Sequence, residues 1–252
     1  MARKPANAEL LVSLHLPKTA GTSFLSVLEQ EYGERLCRDY DDRPLNQSPR
    51  RRCTAALGCA VQNVVLPSRF DQVDCIHGHF LPLKYRLLAW RRSVRFITWL
   101  RDPVERLASH YHYWLRTYNP TESGQLHRKV IEERWDIERF CLSAELQNTY
   151  YRFFWRFPPR RFDFLGITEH FESDVAILAE RYFSAPFVNV PKQNVNQENP
   201  GADEQTPQRY VTDETFRQTV ADFHAQDMAL YKLVLAQRKC RTSHTGTAGL
   251  AE

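Results

Sequence analysis

The chain has 252 residues, of which 42% are hydrophobic and 25% charged, and a formal net charge of +4. That is enough chain for one α/β domain with its own core, and the composition is ordinary for a globular protein. No stretch approaches the ~20 continuous apolar residues of a membrane span, and so mild a positive charge does not by itself argue for nucleic acid. Arg50-Arg51-Arg52, Arg91-Arg92 and Arg160-Arg161 are local clusters that suit an anionic partner or simply a solvated surface.

The segment Met1-Ala2-Arg3-Lys4-Pro5 leads quickly into the first apolar run and lacks the apolar region of a secretory signal. The expected location is cytoplasmic, free or peripheral to a membrane. Six scattered cysteines form no C-x-x-C pair, so free thiols and no metal site are expected.

In chain order, residues 1–8 read as a frayed start. Leu10–Leu16 is a strand, and Leu25, Leu28 and Tyr32 mark a helix over 21–32. Residues 37–49 are polar and turn-rich, predicting an irregular connection, and 53–66 fits a short helix or strand. Val73–Phe80 is a short strand broken at Gly78, and Ser93–Leu100 is the strongest strand signal. Asp102-Pro103 is an N-cap and first-turn pair for a helix whose apolar face carries Val104, Leu107, Ala108, Tyr111 and Leu115. A polar loop over 117–128 precedes helical pieces over 130–157, then a strand at 162–167 and a helix at 169–182. Residues 191–209 read as a loop, 213–238 as a last helix, and 241–252 as a disordered tail to one domain spanning 1–240. Alternating strands and helices predict a three-layer α/β sandwich with a mostly parallel central sheet. Ligands sit at the carboxyl ends of such strands, and three strand ends carry chemistry: Lys18, His79 and Arg101.

Pro17-Lys18-Thr19-Ala20-Gly21-Thr22-Ser23 joins a strand to a helix start. Backbone N–H groups and the helix dipole favour an anion there, Lys18 adds charge, and Thr19, Thr22 and Ser23 add hydroxyls. The order is not G-x-x-x-x-G-K-[ST], since Leu16-Pro17 precedes the lysine. Arg101 leaves a strand and Ser109 lies two helical turns on, so a guanidinium and a hydroxyl could clamp one phosphate. A salt bridge and an exposed serine are the plainer alternative. His77 and His79 are two apart on a strand and face the same side, which suits a base near neutral pH, two metal ligands, or polar edge residues. His15 is expected to pack under the loop, and His110 and His112 to lie on the surface or the site wall.

These motifs together resemble the sulfotransferases that use 3′-phosphoadenosine 5′-phosphosulfate (PAPS). Pro17–Phe24 is similar to their 5′-phosphosulfate loop, and Leu100-Arg101-Asp102-Pro103 with Ser109 to their 3′-phosphate element. His77-Gly78-His79 and Phe164–Glu169 resemble the heparan sulfate and uronyl 2-O-sulfotransferase branch, in a compact bacterial-type form without the membrane anchor of the large animal members. The resemblance covers roughly residues 10–30, 73–116 and 162–235. It implies a P-loop-NTPase-like sulfotransferase fold and PAPS as sulfuryl donor, with no metal. It implies Lys18 on the bridging oxygen and Thr19, Ala20, Gly21, Thr22 and Ser23 on the 5′-phosphosulfate. Arg101 and Ser109 would then hold the 3′-phosphate, with His79 as catalytic base and His77 assisting. The acceptor would be a carbohydrate hydroxyl, on an acidic glycan or a glycolipid among others, and nucleic acid would not be a partner. Lys192–Asn196 resembles the late loop that closes over the donor.

The alternatives are a nucleotide kinase or NTPase and a polyanion- or nucleic-acid-binding module without chemistry. Aromatics over 111–118 and 150–155 should be mostly core, although Arg152, Arg156, Arg160 and Arg161 among them would suit an acidic glycan or single-stranded nucleic acid.

Overall fold

The computed structural model describes residues 9–183 and 212–245. Five strands form one all-parallel sheet: β1 (Leu10–Leu14), β2 (Leu36–Asp39), β3 (Cys75–Gly78), β4 (Val94–Leu100) and β5 (Phe164–Ile167), in the spatial order β2-β3-β1-β4-β5. The central strand β1 is buried throughout, which is why it reads as a continuous apolar run.

Alternate residues feed two cores. Leu11, Cys75, Ile97, Trp99 and Phe164 pack against α1 (Gly21–Tyr32) and α8 (Phe171–Tyr182). Leu10, Val12, Leu14, Phe96 and Leu100 point the other way, into a larger core. That second layer holds α3 (Leu83–Arg86), α4 (Pro103–Thr117), α5 (Gln125–Glu132), α6 (Ile137–Cys141), α7 (Thr149–Phe153), α9 (Glu214–Phe223) and α10 (Ala225–Thr245). The expected three-layer α/β architecture with a parallel sheet is therefore present.

Several expectations change. The stretch expected to be irregular opens with β2, an edge strand. Its last residue, Asp39, is fixed by Lys84 Nζ at 2.7 Å and Tyr85 Oη at 2.6 Å. α2 (Pro49–Val65) is a full helix, capped by Ser48 and started by Pro49. On α4, Leu115 is exposed while Arg106, His110 and Trp114 turn inward. The helix is covered by α5, α6, α9 and α10 as well as by the sheet, so more than one face is buried. The expected last helix divides at His224, whose Nε2 donates to the Cys141 carbonyl (2.7 Å) and whose Nδ1 accepts from Asn148 N–H (3.1 Å). α10 continues to Thr245, past the expected start of the tail. Cys37, Cys53, Cys59, Cys75 and Cys141 are free thiols, as expected. The Lys192–Asn196 loop and residues 1–8 lie outside the described residues.

Candidate active site

The register places the three candidate strand ends at one level. Leu14 pairs with Gly78 on one side and with Thr98 on the other. The loop after β1, His79 after β3 and Arg101 after β4 therefore leave the same edge of adjacent strands, where α/β sheets bind ligands.

In the loop after β1, Lys18 (φ 65°) and Ala20 (φ 59°) are both left-handed without being glycine, a conformation that costs roughly 1–3 kcal/mol per residue. The surroundings hold it in place. Thr19 Oγ1 donates to the Leu16 carbonyl at 2.9 Å, and the His15 ring fills the space at Gly21, where a Cβ would fall 1.8 Å from Nε2. Alternating left-handed residues turn successive N–H groups into one concavity, an anion nest. α1 then begins at Ala20 with no side-chain cap and no acidic residue in its first turn, so its positive end is open to an anion. Of the hydroxyls, Thr22 is exposed at this end and Ser23 is buried. The Thr19 hydroxyl is engaged within the loop, by the Leu16 carbonyl.

Lys18 Nζ sits 4.2 Å from the centroid of the Tyr113 ring. Burial lowers its pKa, and the nearby guanidinium groups of Arg116 and Arg101 lower it further. Among the described residues no carboxylate pairs with Lys18 or Arg116, and Arg101 reaches only Glu105, at 3.8 Å. Lys18 thus sits near two guanidinium groups with no carboxylate of its own to neutralise it.

Arg101 is anchored through its backbone. Its N–H donates to Tyr150 Oη (3.1 Å), and Tyr150 Oη donates to its carbonyl (2.6 Å). Asp102 then caps α4, accepting from Val104 N–H (2.9 Å) and Glu105 N–H (3.1 Å). Asp102 N–H donates to Glu169 Oε1 at 2.8 Å, and Arg217 from α9 reaches Glu105 at 3.1 Å and Asp102 at 3.4 Å. Ser109 lies two turns along α4, partly exposed.

The histidines form a stacked cluster. The ring of His15 lies 4.3 Å from that of His79 and 5.2 Å from that of His77, and His15 Nδ1 bonds to Tyr40 Oη at 3.1 Å. His77 is buried, its Nδ1 hydrogen-bonded to Ser13 Oγ at 2.8 Å, and burial pushes its pKa down to about 3. His79 is only partly covered. Its Nδ1–H donates to the His15 carbonyl at 2.5 Å, which fixes the tautomer and leaves the lone pair on Nε2. Burial lowers its pKa while that hydrogen bond opposes the shift. His15 is held well below the usual histidine range by burial, then by His79, His77 and Lys18. Among the described residues no cluster of histidine, cysteine or carboxylate side chains is arranged to hold a metal ion. His110, expected on the surface or wall, is a core residue packed edge-on against Trp114 and Phe140.

Of the aromatic set, Trp114, Tyr150, Phe153 and Phe154 are buried, whereas Tyr113 and Tyr151 are exposed. Arg152 is engaged by the Ala144 and Glu145 carbonyls, whereas Arg156, Arg160 and Arg161 are exposed. Sequence reasoning missed Tyr40, Arg116, Tyr113 as a partner of Lys18, and Tyr150 as the anchor of Arg101. None of these carried a local signal, because each reaches the site only through tertiary packing.

No family model matches the sequence, and no curated protein matches it. Among solved structures, the chain is similar to a sulfotransferase from Alicyclobacillus acidocaldarius at 15% identity and a TM-score of 0.45, over 92% of this chain and 96% of that one. It is similar to mouse sulfotransferase SULT7A1 complexed with PAP at 12% identity and a TM-score of 0.43, over 77% of this chain and 69% of that one. Both likenesses are too distant to decide chemistry, which rests on the residues described above.

Proposed function

We propose that this chain is an O-sulfotransferase that moves the sulfuryl group of PAPS to a carbohydrate hydroxyl, with His79 as the general base. The observation that carries the reading is the Nδ1-anchored His79, with Nε2 left as its basic nitrogen, at the same sheet edge as an uncapped helix start and three cations without full acid partners. A donor with two separate anionic groups fits that edge. The nest and Lys18 suit a 5′-phosphosulfate, and the Arg101 side chain with Ser109 suits a 3′-phosphate. Bound there, PAPS would supply an activated sulfuryl group on a nucleotide leaving group.

The chain's own residues account for the rest. Lys18 neutralises charge on the leaving oxygen, and the preorganised N–H groups of the loop do the same without reorganising. His79 Nε2 takes the proton of the acceptor hydroxyl, and its lowered pKa keeps the imidazole neutral, hence basic, at physiological pH. His77 is buried beneath the cluster and acts as a positioning residue: it supports the His15 ring, whose carbonyl orients His79. The carbohydrate acceptor is inferred from the His77-Gly78-His79 resemblance, and an acidic glycan or a glycolipid headgroup falls within that class.

Calorimetric titration with 3′-phosphoadenosine 5′-phosphate, beside ATP and a short oligonucleotide, tests the reading. Binding of the bisphosphate in preference to both, lost in Arg101→Ala, is the expected result. A folded protein that ignores the bisphosphate and binds the oligonucleotide with a steep salt dependence would overturn it.

A further inference from the structure

The exposed apolar residues are not scattered singly. Leu57, Val61 and Val65 recur every fourth residue on α2, and Leu66 follows them. Val61, Val65 and Leu66 are 59, 69 and 55% exposed, and Trp90, on the turn after α3, is 77% exposed. α2 packs against α3 and against this Leu87–Trp90 turn. Arg92 ties the Trp90 segment to the end of the turn after α2, donating to the Phe70 carbonyl (3.2 Å) and the Val73 carbonyl (3.0 Å). These residues thus belong to one side of the molecule, at the edge where β3 and β4 begin. The catalytic strand ends lie at the other edge.

The charge around this surface is mostly positive, its acids being Asp71 and Asp74 in the turn between α2 and β3, with Asp74 already paired to Arg35 and Arg92. Residues 43–70 contain no Asp or Glu but carry Arg43, Arg50, Arg51, Arg52 and Arg69. Residues 75–101 likewise contain none, with Arg86 and Arg91 on the segment that bears Trp90. A solvated face has no use for a solitary exposed tryptophan and an aliphatic stripe, and a protein partner does not require predominantly basic flanks. Tryptophan, aliphatic side chains and an excess of arginines on one side of a molecule are what an anionic lipid surface takes up: the apolar groups enter the headgroup boundary and the arginines meet the phosphates. No helix among the described residues is long and apolar enough to cross a membrane, so the contact is with the surface.

We propose that the α2 face, with Trp90, docks this protein on anionic membranes. This stands apart from the sulfotransferase reading and survives its failure. The test is co-sedimentation of the full chain with vesicles of phosphatidylcholine alone and of phosphatidylcholine mixed with phosphatidylglycerol, at low and high salt. Binding should need phosphatidylglycerol and weaken with salt. Val61→Glu with Val65→Glu should weaken it by about tenfold or more, because each carboxylate is both polar and repelled by the surface. Trp90→Ala should weaken it less, and Leu233→Glu, an exposed site on α10, should leave it unchanged. Melting temperature and far-ultraviolet circular dichroism of each variant establish that it is folded. No binding to mixed vesicles, or equal loss in Leu233→Glu, would overturn the proposal. So would a dimer that dissociates in the Val61→Glu, Val65→Glu variant without vesicle binding, since the face would then join two copies of this chain.

Discussion

Replacing Tyr150 by Phe removes one oxygen that serves both backbone groups of Arg101, at 3.1 Å from its N–H and 2.6 Å from its carbonyl. The ring is fully buried and stays in place, so the change is confined to the hydroxyl. Losing two neutral hydrogen bonds and leaving partly buried backbone groups unmet costs roughly 2–3 kcal/mol of stability. The functional effect is smaller and more diagnostic. A charge-assisted bond from Arg101 to a phosphate is worth roughly 1.5–3 kcal/mol, and losing about half of it through a loosened anchor raises Kd by roughly three- to tenfold. Calorimetry with the bisphosphate well below the melting temperature reads that change directly. A variant that melts earlier but binds with unchanged Kd would refute the reasoning, because Tyr150 would then stabilise the fold without positioning Arg101.

The other predictions follow from the same geometry. Lys18→Ala and Arg101→Ala should each weaken bisphosphate binding by roughly ten- to a hundredfold, and calorimetry that finds either unchanged removes that residue from the anion site. His79→Ala should retain bisphosphate binding and lower turnover by roughly 10²–10⁴-fold; unimpaired turnover sinks the base assignment. Stability should fall as pH drops below the unfolded histidine value of ~6.5, because His15, His77, His79, His110 and His224 are all lowered in the fold, chiefly by burial. The unfolded chain then binds protons that the native state refuses, at roughly 1.4 kcal/mol per pH unit for each fully uncoupled histidine. Asp227, raised to about 6 by burial, holds its proton in the fold and offsets one of them. Denaturant melts that give the same stability at pH 7 and pH 5 would contradict this.

What could be read in advance follows the physics of each element. β1 and β4 are buried on both faces, so their apolar runs are dense and local. β2 is four residues at the sheet edge with only Asp39 buried, and its place depends on Lys84 and Tyr85, some 45 residues away. Nothing local marks it, and Tyr40, which follows it into the histidine cluster, was hidden with it. The break at His224 has no proline or glycine, because it arises from hydrogen bonds to Cys141 and Asn148 that only the tertiary fold supplies. Lys18 and Arg101 were legible because each directly follows a strong strand. Arg116 was not, since only the packing of α4 brings it beside Lys18. Thr19 was legible as a loop residue by type, and its hydroxyl is engaged within the turn that makes the nest.

Two helices, α1 and α4, begin at the same sheet edge, and the chain treats their N-termini oppositely. α4 is closed: the Asp102 carboxylate occupies its first N–H groups, and Glu169 accepts the Asp102 N–H itself. An anion approaching that end meets negative charge, with Arg217 already engaged by Asp102 and Glu105, and the Arg101 side chain supplies the attraction there. α1 is open: Ala20 offers no cap, its first turn has no acid, and the strained residues before it aim N–H groups into the same concavity. One anionic group can therefore be held by backbone at α1 and a second by a guanidinium at α4, from different chemistry at different positions. A triphosphate chain, which is contiguous, would crowd toward α1 and leave Arg101 unused. A ligand with anions at both ends of a nucleoside engages both, and this asymmetry of capping is why a bisphosphate should outcompete ATP.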